Sequence, residues 1–373
     1  MWRWSRAGLG RLLLVAAVGV AAVQPARAED RFRVETVATG LEHPWSLAFL
    51  PNGDALVTER PGRLRRLTTE QQLGTPIGGL PDDLVATGQG GLLDVAVDPD
   101  HVRNGLIYLS YSARGDGGMT TRVVRGRLDD ATLTDLRTLL TVEPFVRGGR
   151  HFGSRLAFGA DGMLYVTVGD RGQRTPAQDR STLIGSVVRI MPDGSVPPDN
   201  PFVDDAAARP ELFAFGTRNA QGLAVDPATG RLWAHEHGPR GGDEVNLVAS
   251  GANYGWPTVT FGTGYDLQPI GVGTWQAGTT QPLHVWVPSI APSGLAVYRG
   301  TAFPDWEGDL LVGALRDQML VRLDVEGEEI VGEERLLQNE LGRIRDVRVG
   351  PDDYVYLLTD EADGGVFRLV PTD

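Results

Sequence analysis

The sequence predicts an all-β fold, a six-bladed β-propeller of four-stranded antiparallel blades. Three observations support this prediction. Glycine makes up 49 of the 373 residues, well above its usual share, which favours turn-rich β structure over helices. A two-strand pattern recurs six times, and its spacing leaves room for about four strands per copy. No Ser/Gly-rich linker or break in composition divides the chain, so two separately packed β-domains are the weaker alternative.

Each copy of the repeat is an apolar strand, a tight turn containing Pro, Asp, Asn or Gly, and a second aliphatic and aromatic strand. This order is typical of a β-hairpin, and the continuously apolar second strands indicate burial on both faces. The copies begin at Leu47, Val95, Leu156, Leu223, Leu295 and Val347. Residues 33–38 precede the first copy and can close the ring by adding a strand to the C-terminal blade.

Residues 1–28 predict a cleaved export signal. Arg3, Arg6 and Arg11 form a basic start, residues 12–23 are apolar or glycine, and residues 26–28 form a small-x-small cleavage site. The apolar run is shorter than the roughly 20 residues that a membrane span needs. An uncleaved N-terminal anchor is the alternative. We therefore expect a periplasmic or secreted protein without a membrane span, in which residues 29–373 form a single propeller domain.

The composition excludes several kinds of chemistry. All 35 basic residues are arginine and cysteine is absent, which rules out lysine Schiff bases, Walker-type phosphate loops, thiol nucleophiles, thiolate zinc sites and disulfides. Cleavage of the signal removes four arginines and leaves 31 against 48 acidic residues, a net charge of −17. Such an acidic chain is not expected to bind nucleic acid or anionic membranes.

A histidine and an aspartate stand at the ends of two predicted partner strands. His151 lies in a glycine-rich approach to the third hairpin between Arg150 and Arg155, and Asp170 ends the second strand of that hairpin. Because the ends of hairpin strands are neighbours, Asp170 can fix the imidazole in one tautomer and raise its basicity. The alternatives are a structural histidine and an aspartate that caps a turn.

Arginines precede two other hairpins. Arg218 and Asn219 together can offer a carboxylate-binding fork and an amide, although Arg218 can also be an ordinary loop arginine paired with a surface acid. Arg343 and Arg345 alternate to the same side of a strand, which makes an anion site if they face the channel and a solvated edge if they do not. Arginines at the channel of such an acidic chain indicate a small polyanionic ligand.

Residues 235–246 contain candidate metal ligands. His235 and His237 invite a zinc interpretation, but the third ligand of known catalytic zinc sites is missing. A Gly-Pro turn followed by Asp243 and Glu244 offers carbonyl and carboxylate oxygens, the ligands that calcium prefers. We therefore favour calcium over zinc.

Taken together, these segments resemble the soluble aldose and glucose dehydrogenases that depend on pyrroloquinoline quinone (PQQ), six-bladed propellers exported to the periplasm. The matching motifs are residues 88–93, residues 148–156 with Asp170, and residues 216–222, 236–246, 253–257 and 342–346. Each motif alone is weak, but all six in order are highly specific. The resemblance extends over nearly all of residues 35–370.

The resemblance implies roles for individual residues. His151 would be the general base, oriented by Asp170. The cofactor-binding residues would be Gln89, Arg218, Asn219, Tyr265, Arg316, Arg343 and Arg345. The carbonyls of Gly238 and Pro239 would bind the calcium that polarises the quinone, and Glu244 with the Tyr254 carbonyl would bind a second calcium. Arg316 stands where the family usually has a lysine, so quinone reactivity can differ.

The implied reaction is oxidation of an aldose at the anomeric carbon to the lactone, with the electrons passed to an external acceptor. A neutral histidine can take the hydroxyl proton, and a calcium-polarised quinone can accept the hydride. Two other classes stay open: a calcium-dependent lactonase, which needs a carboxylate-rich axial metal site, and a non-catalytic propeller that binds a partner on its rim. Residues 262–288, with Trp275 and Trp286, either wall the pocket or form a packed loop.

Overall fold

The fold was analysed in a computed structural model that describes residues 31–372, so the predicted export signal lies outside the described residues. Within this range, 24 strands form six four-stranded antiparallel sheets. The prediction of an all-β propeller with six four-stranded blades is therefore confirmed. None of the helices in this range is long and apolar enough to cross a membrane.

Five blades each contain four consecutive strands, and the sixth combines the two ends of the chain. Blade one contains β2 (Pro44–Phe49), β3 (Ala55–Glu59), β4 (Arg63–Leu67) and β5 (Leu73–Pro76), and blade two contains β6 (Leu92–Val97), β7 (Leu106–Gly115), β8 (Gly118–Asp129) and β9 (Thr132–Thr141). Blade three contains β10 (Gly153–Phe158), β11 (Leu164–Val168), β12 (Ser186–Ile190) and β13 (Leu212–Phe215), and blade four contains β14 (Ala220–Val225), β15 (Leu232–Glu236), β16 (Asp243–Leu247) and β17 (His284–Trp286). Blade five contains β18 (Pro292–Val297), β19 (Leu310–Ala314), β20 (Met319–Glu326) and β21 (Glu329–Leu336), and blade six contains β22 (Ile344–Val349), β23 (Val355–Thr359), β24 (Gly364–Pro371) and β1 (Phe32–Leu41).

The N-terminal strand closes the ring. Strand β1 pairs antiparallel with β24, with Phe32 opposite Pro371 and Leu41 opposite Gly364. The predicted pairing of residues 33–38 with the C-terminal blade is confirmed. Because β1 leads directly into blade one, its hydrogen bonds with β24 join the first and last blades.

The six predicted hairpins are the first two strands of the six blades. The second strands β3, β11, β15, β19 and β23 are buried at every residue, as their apolar sequences predict. The second copy differs from the predicted tight turn, because a single helical turn, α1 (His101–Asn104), connects β6 to β7 and ends at Gly105 with φ 65°.

The hydrophobic core lies between the blades. Each of the six largest clusters of buried apolar side chains joins one blade to its neighbour. In the cluster between blades five and six, for example, Trp306 packs against Phe32 from the closing strand, with ring centroids 5.9 Å apart. Burial between blades therefore stabilises the ring as a whole.

The propeller axis is closed by charged side chains. The third residues of the six innermost strands are Ser46, Asp94, Arg155, Gly222, Gly294 and Asp346. The Arg155 side chain is 2% exposed; its Nη1 lies 2.8 Å from Oδ1 of Asp346, and its guanidinium stacks 4.1 Å from the Trp45 ring. Burial of these charges is tolerated because they are paired with each other. The cluster separates a cavity at one mouth of the propeller from another at the opposite mouth.

Candidate active site

Two adjoining cavities open at the mouth where the innermost strands begin. The axial cavity, of about 520 Å³, is lined by residues that include Trp45, Arg343 and Arg345. The side cavity, of about 450 Å³, is lined by residues that include His151 and Arg218. The two cavities share Gln89, His237 and Ala291. The loops that enter the innermost strands therefore bring most of the predicted site residues to one place.

His151 and Asp170 form a close pair beside the side cavity. The imidazole Nδ1 lies 2.6 Å from Oδ1 of Asp170, and the His151 side chain is 12% exposed. The backbone N–H of His151 donates to Oε1 of Gln89 at 2.7 Å, so two predicted site residues position each other. The hairpin β10–β11 brings the two strand ends together, as the sequence predicts.

The surroundings favour a neutral imidazole beside a charged carboxylate. Burial lowers the pKa of His151 below its ordinary value and outweighs the hydrogen bond to Asp170, which acts in the opposite direction. The positive charge of Arg218 lowers this pKa further. Burial raises the pKa of Asp170, but its hydrogen bonds with His151, Gly172 and Trp256 outweigh this effect and lower the pKa overall. A neutral imidazole oriented by a carboxylate can act as a base.

Arg218 and Asn219 lie where β14 begins, and both are buried. The Arg218 guanidinium donates to the carbonyls of His237 at 3.0 Å and Gly238 at 2.7 Å, and no carboxylate of the described residues forms an ion pair with it. The alternative of a loop arginine paired with a surface acid is therefore wrong. Because the Gly238 carbonyl accepts this hydrogen bond, it is not free in this arrangement for the predicted calcium.

Arg343 and Arg345 reach the axial cavity from the start of an innermost strand, so the alternative of a solvated edge strand is wrong. Arg345 Nη2 lies 2.8 Å from Oδ2 of Asp360, and its Nη1 donates to Gln221 at 3.1 Å. Its buried Nε has no hydrogen-bond partner among residues 31–372. Arg343 is more open, with a 41% exposed side chain, and its Nη2 lies 3.6 Å from the same Asp360 oxygen.

Tyr265 and Arg316 line the side cavity from its outer edge. Tyr265 is 74% exposed. The Arg316 side chain is 57% exposed and donates to the carbonyl of Ser289. Within residues 262–288, Tyr265 lines the cavity, Trp275 is exposed, and Trp286 packs between blades four and five. One part of residues 262–288 thus lines the pocket, as one alternative predicted, and another part is packed, as the other predicted.

Of the other predicted calcium ligands, Pro239 and Asp243 line the side cavity, whereas Glu244 and Tyr254 are in the lining of neither cavity. Glu244 faces Glu236 across β15 and β16, and both are buried. Burial and the neighbouring carboxylate raise the pKa of Glu244 well above its ordinary value. Near them, the buried Oδ1 of Asn246 has no hydrogen-bond partner in the described part of the chain. In residues 31–372, no group of three or more His, Asp or Glu side chains is arranged to hold a metal ion.

The two histidines of β15 and the adjacent loop contact blade five. His235 Nε2 lies 3.3 Å from the carbonyl oxygen of Gly294, and His237 Nε2 lies 2.6 Å from that of Pro292. These contacts fix both rings against strand β18.

Three residues of the site, Trp256, Asp360 and His43, were not predicted as site residues from the sequence. Trp256 donates from its indole N–H to Oδ2 of Asp170 at 2.8 Å. Asp360 holds the two arginines of the axial cavity, and His43 contacts Asp360. A signal was present, because Asp360 directly follows β23 in the way that Asp170 follows β11.

Comparisons with known proteins agree with this geometry. The family model described as Glucose / Sorbosone dehydrogenase matches residues 41–368. The chain is also 44% identical to the aldose sugar dehydrogenase YliI of Escherichia coli (strain K12), over 91% of this chain and 92% of that protein. The chain belongs to the glucose/sorbosone dehydrogenase family. The resemblance inferred from the motifs is thereby confirmed.

Solved structures of dehydrogenases match this chain over nearly its whole length. A crystal structure of a glucose dehydrogenase matches with a TM-score of 0.89 and 47% identity, over 91% of this chain and 100% of that one. The PQQ-bound form of an aldose sugar dehydrogenase from Streptomyces coelicolor matches with a TM-score of 0.76 and 31% identity, over 92% of this chain and 99% of that one.

Proposed function

We propose that this protein oxidises aldose sugars at the anomeric carbon to the lactone, with PQQ as cofactor and an external electron acceptor. The observation that carries the proposal is the contact of 2.6 Å between His151 and the buried Asp170, with His151 and Arg218 lining the same cavity. The similarity to a PQQ-bound aldose sugar dehydrogenase supports the choice of cofactor.

The residues present fit a tricarboxylate. Arg218, Arg343 and Arg345 line the adjoining cavities, and the buried Nε of Arg345 lacks a hydrogen-bond partner among the described residues. In the side cavity the carboxylate of Asp243 is already occupied, since it accepts hydrogen bonds from Ser289 and from the backbone N–H groups of Gly238, Ile290 and Ala291. Guanidinium groups bind carboxylates with paired hydrogen bonds. Gln89, Asn219, Tyr265 and Arg316 would complete the set.

The protein's own groups move one proton. His151, neutral and held by Asp170, takes the proton of the anomeric hydroxyl at its Nε2 as the C–H hydrogen leaves as hydride. Bound PQQ supplies the hydride acceptor. Arg218 adds positive charge beside the imidazole and helps to keep it neutral between turnovers.

Calcium is the metal that the oxygen donors suit. We propose that the carbonyls of Gly238 and Pro239 hold one ion in the side cavity, once Arg218 turns from the Gly238 carbonyl to an anionic ligand. We propose that Glu244 and the Tyr254 carbonyl hold a second ion, because Glu236 and Glu244 are buried opposite each other and, within residues 31–372, the buried Oδ1 of Asn246 has no hydrogen-bond partner.

Dye reduction by the protein with PQQ, calcium and a panel of aldoses tests the proposal. Wild-type protein should reduce the dye. His151→Ala should lose most turnover and keep PQQ binding largely intact. Full activity of His151→Ala would overturn the base assignment. A lactonase would open lactones without cofactor, and a non-catalytic binding module would do neither. The axial cavity disfavours a lactonase, because one of its carboxylates, Asp360, is already paired with Arg345.

We further propose that residues 1–28 are an export signal and that residues 29–373 form one propeller domain in the periplasm or outside the cell. N-terminal sequencing of the exported protein should give a chain beginning at Glu29. A protein that retains Met1 after export would support the anchor alternative.

A further inference from the structure

A second imidazole–carboxylate pair faces the axial cavity. His43 lies in the loop between β1 and β2, and its Nδ1 is 2.8 Å from Oδ1 of Asp360. The pair is built like His151 and Asp170. Both histidines lie just before an innermost strand, and both have a positive φ, 47° for His43 and 54° for His151. Both aspartates follow the second strand of a blade.

The imidazole of His43 is placed to exchange protons. Its side chain is 30% exposed and lines the axial cavity with Arg343 and Arg345. In the part of the chain that the structure describes, its Nε2 has no hydrogen-bond partner. An imidazole that is held at Nδ1 by a carboxylate and open at Nε2 can accept a proton at Nε2 and pass it on.

The charges around His43 keep its partner ionised. The charged side chains that line the axial cavity with it come from the loop after β3, the start of β22 and the loop after β23; they are Arg60, Arg343, Arg345, Asp360 and Glu361. The preceding residue, Glu42, pairs with Arg63. Burial raises the pKa of Asp360, but Arg345 and the hydrogen bond with His43 outweigh this and hold it well below its ordinary value. Asp360 therefore stays a carboxylate that orients His43.

The proposed function, on which this inference rests, releases a second proton that the pair of His43 and Asp360 can accept. Oxidation of an aldose to its lactone removes two electrons and two protons. The hydroxyl hydrogen goes to His151 as a proton and then to solvent, and the carbon hydrogen leaves as hydride. Once two one-electron acceptors have taken the two electrons, that second hydrogen has to leave the site as a proton.

We propose that His43 is a further acid–base residue of this site: its Nε2 accepts the second proton during reoxidation and passes it to solvent through the open axial cavity. His151 would then serve the reductive half of the reaction and His43 the oxidative half. The two cavities adjoin at Gln89 and His237, which line both, and we place the bound ligand across this junction between the two histidines.

Stopped-flow measurements on the holoenzyme separate the two halves. Reduction by sugar is followed without acceptor, and reoxidation is then followed with ferricyanide, which accepts electrons but no protons. In His43→Gln, whose amide can still donate to Asp360, we expect reduction within about threefold of wild type and reoxidation slowed by about 100-fold. His151→Gln should show the opposite pattern.

His284→Gln is the matched control. His284 also pairs with a carboxylate, its Nε2 lying 3.0 Å from Glu333, but it lines neither cavity. Both rate constants should stay at the wild-type value in this variant. Unchanged reoxidation in His43→Gln would overturn the inference.

Two readouts do not depend on turnover. Titration of cofactor-free His43→Gln with PQQ should give a dissociation constant within about threefold of wild type, whereas weaker binding with equal loss in both halves would reduce His43 to a positioning residue for Arg345 and overturn the inference. Nitrogen NMR of the histidine rings should show that Nδ1 of His43 carries a proton hydrogen-bonded to Asp360. A wild-type protein that no aldose reduces would instead overturn the proposed function.

Discussion

The indole nitrogen of Trp256 lies 2.8 Å from Oδ2 of Asp170, the carboxylate whose other oxygen contacts His151. Both oxygens of Asp170 thus have a partner. One of these partners, Trp256, lies outside the β10–β11 hairpin that brings Asp170 and His151 together. Trp256 is 4% exposed, so the hydrogen bond is shielded from water. Hydrogen bonds to charged groups contribute more than neutral ones.

Trp256→Phe should therefore lower turnover while leaving cofactor binding nearly intact. The aromatic ring is kept and one donor to Asp170 is lost, so we expect a fall in kcat of about tenfold, equivalent to roughly 1.4 kcal/mol. Steady-state kinetics with saturating PQQ measure it. Trp275→Phe, at a tryptophan that is 64% exposed, is the control and should behave as wild type. Equal activity of the two variants would contradict the role of Trp256.

The pH profile of the reductive half-reaction should have its acid limb below the ordinary histidine pKa. The base has to be neutral, and the pKa of His151 is lowered by burial and by Arg218, so the rate falls only as pH drops through that lowered pKa. Asp170 opposes the shift. In Asp170→Asn the limb should move to still lower pH, and the plateau should drop by about 100-fold or more because the imidazole loses its orienting carboxylate. A limb that moves to higher pH would contradict this assignment.

The fold and one face of the site could be predicted from local sequence because their signals are local. Hairpin periodicity gave the six blades, and the spacing of His151 and Asp170 gave their contact, since both belong to one hairpin. Asp360 holds Arg345 from a neighbouring strand of the same blade, but its pairing with His43 joins residues 317 positions apart. Closure of the ring by residues 33–38 was predicted, but which side chains then meet across the closed ring is not specified by any local pattern.

The hydrogen bond between Arg218 and Gly238 could not be predicted for a different reason. The sequence indicated a guanidinium and a free carbonyl, both correctly placed beside the side cavity. Which partner each takes depends on the distances across blade four. A buried guanidinium without a carboxylate partner turns to the nearest carbonyls, here those of His237 and Gly238.

Arg345 should contribute more to PQQ binding than Arg343. Arg345 has a 9% exposed side chain and an ion pair of 2.8 Å with Asp360, whereas Arg343 is 41% exposed and 3.6 Å away. Arg345→Gln leaves Asp360 with a weaker partner and removes a shielded cation, so the dissociation constant should rise by about 100-fold. Arg343→Gln should raise it by about tenfold. Fluorescence titration with PQQ measures both, and the reverse order would contradict the ranking.

Calcium should stabilise the fold through Glu244. Glu236 and Glu244 are buried opposite each other, so a cation between them removes a repulsion. Calcium at about 100 times its dissociation constant should stabilise the wild-type protein by roughly 2.7 kcal/mol. Glu244→Gln should lose the part of the calcium response that comes from the second ion, and should be at least as stable as wild type without calcium. Thermal unfolding with calcium and with chelator measures it, and Glu328→Gln, at an exposed glutamate, is the control. A calcium response in Glu244→Gln as large as that of wild type would contradict the site.

Arg155 should be the most costly single arginine to remove. It is buried on the axis, between Asp346 at 2.8 Å and Asp94 at 3.6 Å, and it closes the space between the two mouths. Arg155→Met keeps much of the side-chain volume but leaves two carboxylates with one cation, Arg348, so we expect a loss of about 3–5 kcal/mol in the free energy of unfolding.

Urea unfolding of Arg155→Met against Arg335→Met measures this loss. Arg335 pairs with Glu333 at the surface, where its side chain is 45% exposed, and its removal should change stability by less than about 1 kcal/mol. Adding Asp346→Asn to Arg155→Met should restore part of the loss, because the unpaired carboxylate is the main cost. If the double variant is no more stable than Arg155→Met, the loss comes from packing against Trp45 instead of from charge.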